Sequence, residues 1–504
     1  MSEPVSPAAR VARGATYIYL HILLAHILGV VHFAFATRFL TVYEVGVLSL
    51  LALITTIFPT FFSLSLPAAL TKFVPEFIGS GKADLARGVI KKGIATGLAV
   101  SLFFPSLSFL ASSVISSLLF GSPIYQYLLE LLALDIFVLM LSPFLGEALI
   151  GLQKFREISI ANSLGYGVKY AVAIVLLHCN FGLLGVVLGW IVGDFSRMVL
   201  YIHFLLPFRD GSASVPFSRL IKYSAPIYLA GCLNYLSARV DQFLMILYLG
   251  LKDLGIYNAA ITASWVVSSI SDSISSALFP QFAERFGRKD SDALSNASYG
   301  ASRYLSIIYL PLAIGLATVA LPTITLFAGP KYIEGSTPLV LFSLTSAIGC
   351  LGLIANSVIA SLGRTKIFLW MSLLSFSVDA ILCLIFMPWL GIVGASLGRM
   401  ISSIVAFGFI MYNLKKIFGW HFDRVALKKS WLNSAIMGLT VLIVQQFLVG
   451  KFYLPLYILI GGVSYFVLMR LFRVMNASDV ALVKDFLPKR LEFVADILAK
   501  LLVV

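Results

Sequence analysis

The sequence predicts an all-α polytopic membrane protein of fourteen transmembrane helices, arranged as two parallel six-helix repeats and a C-terminal helix pair. Three observations predict it. Of 504 residues, 60% are hydrophobic and only 12% charged, where a soluble domain carries about 25% charged residues. The apolar residues fall in blocks of about twenty, the length that a ~30 Å hydrocarbon core demands. Separate segments of the chain also recur at one constant offset.

The blocks place helices near 14–37, 44–66, 89–118, 124–150, 159–179, 183–206 and 222–249. They continue at 255–280, 300–327, 336–361, 367–388, 391–413, 431–449 and 453–472. Backbone polar groups facing lipid must be satisfied internally, so helices are the economical solution for such blocks. The start, with Arg10 and Arg13 before a long apolar run, has no small-residue cleavage site and reads as a first spanning helix entered from the inside.

Charge alternates along the connections. Even-numbered connections and both termini hold 29 of the 37 Lys and Arg residues, whereas odd-numbered ones hold Arg38, Lys252, Lys331 and Lys451. Lysine and arginine concentrate in cytoplasmic loops, so both termini are expected in the cytoplasm of a cell-membrane protein, which requires an even helix count. The same bias accounts for the net charge of +14 without nucleic acid as a partner.

The repeat is carried by glycines. Gly46 matches Gly255, and Gly182, Gly185 and Gly189 match Gly391, Gly394 and Gly398, all at an offset of 209. Phe73 and Phe77 match Phe282 and Phe286 at the same offset. Each repeat holds six helices, so the halves share one orientation, an architecture of transporters with substrate bound between the halves. The expected organisation is an N-lobe over 1–206, a cytoplasmic linker over 207–221, a C-lobe over 222–413 and helices 13 and 14 within 431–472. Residues 478–504 turn amphipathic, as expected of a helix lying in the cytoplasmic interface or packing on the loops.

Ionisable side chains inside a bilayer are expensive and by default functional. The first half holds Asp135, Glu147, Lys169, Asp194 and Arg197, and the second Arg239, Asp241, Asp272, Asp379 and Arg399. Asp194 and Arg197 sit at i, i+3, the spacing of an internal pair. Lys169 and Asp379 occupy near-equivalent places in helices 5 and 11 with opposite sign, and pairing between them is one expectation, separate local partners the other. Arg239 and Asp241 are two apart, so they point to different sides of a helix. A guanidinium stays charged when buried and matches phosphate oxygens in pairs. Arg239 and Arg399, with Lys169 and Arg197, are therefore the candidate substrate-binding residues, against interhelical ion pairing as the plainer role. Asp241, Asp272, Asp379, His21 and His32 are the candidates for a cavity wall or for coupling to H+ or Na+. His21 and His32 lie eleven apart on one face of helix 1, where hydrogen bonds to a neighbouring helix are the simpler role.

Cys179, Cys232, Cys350 and Cys383 show no disulfide or metal-ligand spacing. There is no nucleotide-binding glycine loop and no nucleophile–base constellation, and the odd-numbered connections are too short for an external catalytic domain. Neither a cofactor nor an enzymatic activity is expected.

The stretch LNYLSARVDQFLMILYLGLKDLGIYNAA over 233–260 resembles the helix 7–8 signature of polysaccharide-transport flippases. GRTKIFLWMSLLSFSVDAILCLIFMPWLGIVGASLGRMIS over 363–402 resembles their helices 11 and 12, and RFLTVYEVGVLSLLALI over 38–54 their helix 1–2 region. The resemblance covers most of 14–415 and points to the multidrug/oligosaccharidyl-lipid/polysaccharide (MOP) exporter superfamily, oligosaccharide-flippase (Wzx-like) branch. It implies two MATE-like lobes around a central cavity, alternating access, and a lateral gap for lipid tails near helices 1 and 8. Asp241 matches the acidic residue of the helix 7 signature. The function so implied is movement of a polyprenyl-linked sugar between leaflets by a monomer. A cation-coupled multidrug antiporter of the same fold is the alternative, which the near balance of intramembrane acids and bases disfavours.

Overall fold

A computed structural model describes residues 7–208, 215–267, 282, 291–362, 364, 366–418 and 422–474. All regular structure among them is helical. The chain divides into two compact units, Met1–Asn258 and Ala259–Val504.

The first unit contains α1 (Pro7–Phe39), α2 (Val42–Phe62), α3 (Pro67–Gly79), α4 (Ala83–Leu110) and α5 (Ser112–Phe120). It continues with α6 (Gln126–Gly151), α7 (Phe155–His178), α8 (Gly182–Leu205) and α9 (Phe217–Tyr248). A further helix, α10, is described over 251–267, and the unit boundary falls inside it. Thr41 and Glu44 start α2 with a reciprocal capping box, each side chain taking the other's backbone N–H. The helix expected over 89–118 is broken at Ala111 into α4 and α5.

The helix α3 lies where the sequence reading left a connection. Pro67 opens it with a preset φ, and Leu70, Phe73, Val74 and Phe77 recur at the spacing of one buried face. That face joins Ile90, Phe144 and Leu149 in the core of the unit.

Glycines set the register of the α7–α8 hairpin. A Cβ on Gly185 would meet Leu176 Cβ at 2.8 Å, one on Gly189 the Ala173 Cβ at 2.7 Å, and one on Gly193 the Lys169 Cβ at 2.3 Å. One index rises as the other falls, so the helices run antiparallel in backbone contact, the close approach that small residues permit in membranes. Asn180 (φ 64) and Gly182 (φ 55) turn the chain between them.

The helix α9 runs antiparallel along α2. Tyr228 donates to the Phe61 carbonyl at 3.0 Å, and Tyr235 to that of Leu53 at 3.2 Å. This packing carries α9 into the first compact unit, beyond the lobe boundary expected near residue 206. Past it, α10 crosses α2 reciprocally. A Cβ on Gly46 would lie 1.7 Å from the Leu251 carbonyl oxygen, and one on Gly255 would lie 2.5 Å from that of Val42. Asn258 donates to Ser49 Oγ at 2.7 Å.

The second unit contains α11 (Ser291–Thr318), α12 (Ala320–Phe327), α13 (Ser336–Ile348), α14 (Gly352–Ser361), α15 (Lys366–Phe418), α16 (Arg424–Phe447) and α17 (Leu454–Leu471). The helix expected over 336–361 is interrupted by a 3-10 turn at Gly349–Leu351. Within α15 the backbone leaves helical geometry at Gly391 (φ 56, ψ −134), where the sequence reading parted helices 11 and 12. The two arms fold back on each other. Ser375 and Ser402 share a 2.9 Å hydrogen bond, and Cys383 lies 3.9 Å from the Ala395 carbonyl. The C-terminal pair docks on α11 through Tyr465, which donates to the Ile307 carbonyl at 2.7 Å, and Gln445, which donates to that of Thr318 at 3.0 Å.

Ten described helical stretches are long and apolar enough to cross a membrane, the folded-back α15 counting as one. The tail 478–504 and the second half of the expected helix 255–280, Asp272 included, lie outside the described residues.

Candidate functional site

The α7–α8 hairpin brings charge together inside the first unit. Because Gly193 lets α8 touch α7 at Lys169, the Lys169 ammonium reaches Asp194 Oδ2 at 2.6 Å. Arg197, one turn further along α8, reaches Asp194 Oδ1 at 2.9 Å. Asp194 is thus a single carboxylate held by two cations, with a side-chain exposure of 3%. Lys169 takes this partner within its own unit, at the place where the sequence had allowed Asp379 as its counter-charge. Aromatic faces complete the setting, with Lys169 Nζ 5.2 Å from the Trp190 ring and the Arg197 guanidinium 5.6 Å from the Tyr166 ring.

Asp135 of α6 is in electrostatic contact with Lys169, Asp194 and Arg197. It is fully buried, and no N–H or hydroxyl group among the described residues donates to either carboxylate oxygen. Two acids face two bases, so the cluster is formally balanced, which is how charge survives in a low-dielectric interior. Arg197 keeps one donor unused, since its Nε has no partner among the described residues.

The histidines of α1 border this cluster. His32 lies 5.0 Å from the Tyr170 ring and within electrostatic reach of Lys169. His21 Nδ1 lies 3.3 Å from the Tyr17 carbonyl and 3.1 Å from Ser159 Oγ. A carbonyl only accepts, so Nδ1 carries the proton and Nε2 accepts from Asn162 Nδ2 at 3.0 Å. Asn162 Oδ1 then accepts from Tyr201 at 2.6 Å. The chain of contacts links α1, α7 and α8 beside the ion pairs.

The other candidates have contacts of their own. On α9, Asp241 accepts from the Tyr257 hydroxyl and from the Gln242 N–H at 2.8 Å, and Arg239 donates to Gln242 Oε1 at 3.3 Å. In the second unit, the Cys383 thiol donates to Asp379 Oδ1 at 3.4 Å, and the Arg399 guanidinium lies 5.8 Å from the Phe342 ring. Among the described residues no group of three or more His, Cys, Asp or Glu side chains could hold a metal ion.

The sequence reading passed over Asn162, Tyr166, Trp190 and Tyr201 as site residues and left Asp135 out of the binding set. The signal was present as two polar stripes at helical spacing, residues 159, 162, 166 and 169 on α7 and 190, 194, 197 and 201 on α8.

Residues 35–337 match a family model described as polysaccharide biosynthesis protein. An uncharacterized membrane protein of Methanocaldococcus jannaschii is 24% identical over 251 residues, covering 49% of this chain and 48% of that one, so the match spans about half the length of that relative. The lipid II flippase MurJ of Bacillus subtilis is 21% identical over 440 residues, covering 77% of this chain and 80% of MurJ. A solved lipid II flippase MurJ in an inward closed conformation superposes with a TM-score of 0.75 at 18% identity, covering 90% of this chain and 98% of that one. An inward-facing multidrug resistance MATE transporter of the MOP superfamily gives a TM-score of 0.65 at 13% identity, covering 78% and 94%.

Proposed function

The chain belongs to the polysaccharide biosynthesis protein family, and from that premise we propose that it is a flippase. It moves a polyprenyl-phosphate- or pyrophosphate-linked oligosaccharide from the cytoplasmic to the outer leaflet by alternating access. The observation that carries this reading is the pair of buried cations, Lys169 and Arg197, held ready by one carboxylate inside a membrane-embedded unit. A polyprenyl-linked sugar has a headgroup too polar for hydrocarbon and a tail that stays in it. Cations with an unused donor lower the headgroup's cost of entry. The fold shared with a lipid II flippase supports a substrate of this class. An anionic headgroup also moves outward down an inside-negative potential, worth about 2.3 kcal/mol per charge per 100 mV.

The same reading makes fourteen spans. Besides the ten long apolar stretches, the second arm of α15, the more polar α9 and α16, and α10 cross the membrane, with both termini cytoplasmic. The reciprocal contacts at Gly46 and Gly255 support two six-helix repeats, since exchange of partners is what a two-fold relation produces. Arg239 and Arg399 are assigned to the headgroup, and Asp241, Asp272, Asp379, His21 and His32 to the cavity and to any coupling by H+ or Na+. The likeness to MATE transporters supports a second reading, a cation-coupled drug antiporter.

Mass spectrometry of lipids that copurify after mild extraction tests the choice, with wild type beside Lys169→Ala/Arg197→Ala and Arg239→Ala/Arg399→Ala. A polyprenyl-phosphate sugar held by wild type and lost from a double variant supports the flippase and its ligands. Bulk phospholipid alone in every sample, with saturable binding of a cationic drug, would favour the antiporter.

A further inference from the structure

The ends of α15, α16 and α17 converge at one level of the second unit. Arg303 of α11 ties them, donating to Asp423 Oδ2 at 3.1 Å and to the Val474 carbonyl at 2.7 Å. Lys429 donates to the Arg473 carbonyl at 3.2 Å. Leu414, Phe422 and Leu427 pack beneath in a common core. Around this knot stand Lys415, Lys416, Arg424, Lys428, Arg470 and Arg473, all exposed, and Lys429, half-buried. From residue 380 to residue 474 the chain has one acid, Asp423. That acid is already engaged by Arg303 and by the Val425 and Ala426 N–H groups. No second acid within that stretch answers the bases, and three of them fall in the first two turns of α16, where the helix dipole favours acids.

Apolar side chains stand exposed among the bases. Tyr412 is 65% exposed, Val425 64% and Leu471 70%. A soluble acidic protein would answer the charge and leave these side chains in water. A leaflet surface answers both, because headgroups meet the bases while the acyl boundary takes the apolar side chains. We propose that the shared end of α15, α16 and α17 is a docking surface for the anionic headgroups of membrane phospholipids. The surface is built into the C-terminal pair, so headgroups bound there seat α16 and α17 in the leaflet.

The test uses the full chain, purified in a neutral detergent and titrated with phosphatidylglycerol or phosphatidylcholine. Bound lipids are counted by native mass spectrometry, and the melting temperature is read in parallel. One variant carries Lys415→Gln, Lys416→Gln, Lys428→Gln and Arg470→Gln, which leaves Arg303, Asp423, Lys429 and Arg473 to hold the knot. A control carries Lys82→Gln, Arg87→Gln, Lys91→Gln and Lys222→Gln in the first unit. Wild type and control should prefer phosphatidylglycerol and gain thermal stability from it. The first variant should lose affinity by about fivefold per charge removed, the factor that ~1 kcal/mol per base near an anionic surface represents. The preference should vanish near 1 M salt, where screening shortens to ~3 Å. Equal losses in both variants, or an undiminished response in the first, would overturn the proposal. So would loss of a copurifying polyprenyl-phosphate sugar with the phosphatidylglycerol response intact, which would make the patch a substrate site.

Discussion

At the scale of single residues, Asp194 decides how the first unit carries charge. It is buried and bonded to both Lys169 and Arg197. Breaking a buried pair by removing one partner costs roughly 3–5 kcal/mol, because the other charge is left without compensation. Asp194→Leu should therefore lower the melting temperature of the purified protein sharply. Asp194→Leu with Lys169→Met should recover part of that loss, since one stranded cation is gone. Additive losses in the double variant would show that the two side chains do not couple. The Asp194–Arg197 pair was legible in the sequence, because i, i+3 spacing places both on one helix face. The Lys169–Asp194 pair was not, because it depends on the register between two helices, and only the packing at Gly185, Gly189 and Gly193 sets that register.

At the scale of an element, α16 shows how a helix rich in bases is started. Asp423 precedes its first turn, outside the membrane-spanning segments, and accepts from the Val425 and Ala426 N–H groups at 3.1 and 2.8 Å. Burial works against its charge, but the Ala426 N–H and the Arg303 guanidinium outweigh it and hold the carboxyl below its ordinary value. A carboxylate depressed on folding stabilises fully above its unfolded value, near 3.9, and that stability is lost as pH falls through the lower folded value. Amide exchange in the first turn of α16 should therefore stay slow down to about pH 4 and quicken at more acidic pH. Asp423→Ala should quicken it above about pH 4, with a loss of ~1 kcal/mol for the cap alone, and match wild type at more acidic pH. An unchanged exchange profile in that variant would remove Asp423 from this role. The sequence located α16 as a helix but started it seven residues late, at 431. A charged first turn reads as loop when hydropathy is the guide, and the cap needs Arg303, 120 residues away, to hold it. The helix α3 was missed for a related reason, since thirteen residues with one apolar face are too short to register as a span.

At the scale of the whole molecule, the fold is that of a lipid II flippase and of MATE transporters, traced across nine-tenths of this chain in the first case. Among the described glycines of the first unit, Gly46 at the crossing of α2 and α10 leaves the least room for a Cβ. The contacts of that crossing exchange under the 209-residue offset, Gly46 on Leu251 and Gly255 on Val42. Gly46→Leu and Gly255→Leu should therefore fail alike, each driving a side chain into backbone that has nowhere to move. Gly79→Ala, with open space around it, should leave yield and melting temperature unchanged. A mild Gly46 variant beside a severe Gly255 variant would contradict a reciprocal contact. The common offset between matched glycines was visible in the sequence, since it is a one-dimensional signal. That two matched glycines touch each other was not visible, because an offset relates positions and says nothing about their distance.

By itself the sequence determined the membrane class, the helical content, the position of most helices, and which ionisable groups those helices carry. These follow from composition and from periodicity along one chain, where the bilayer demands blocks of fixed length. Only the tertiary structure decided which of those groups meet. It paired Lys169 with Asp194, left Asp135 beside them, gave Asp241 to Tyr257, and carried α9 along α2. Those choices rest on helix register and crossing, which are set by contacts between residues far apart in sequence.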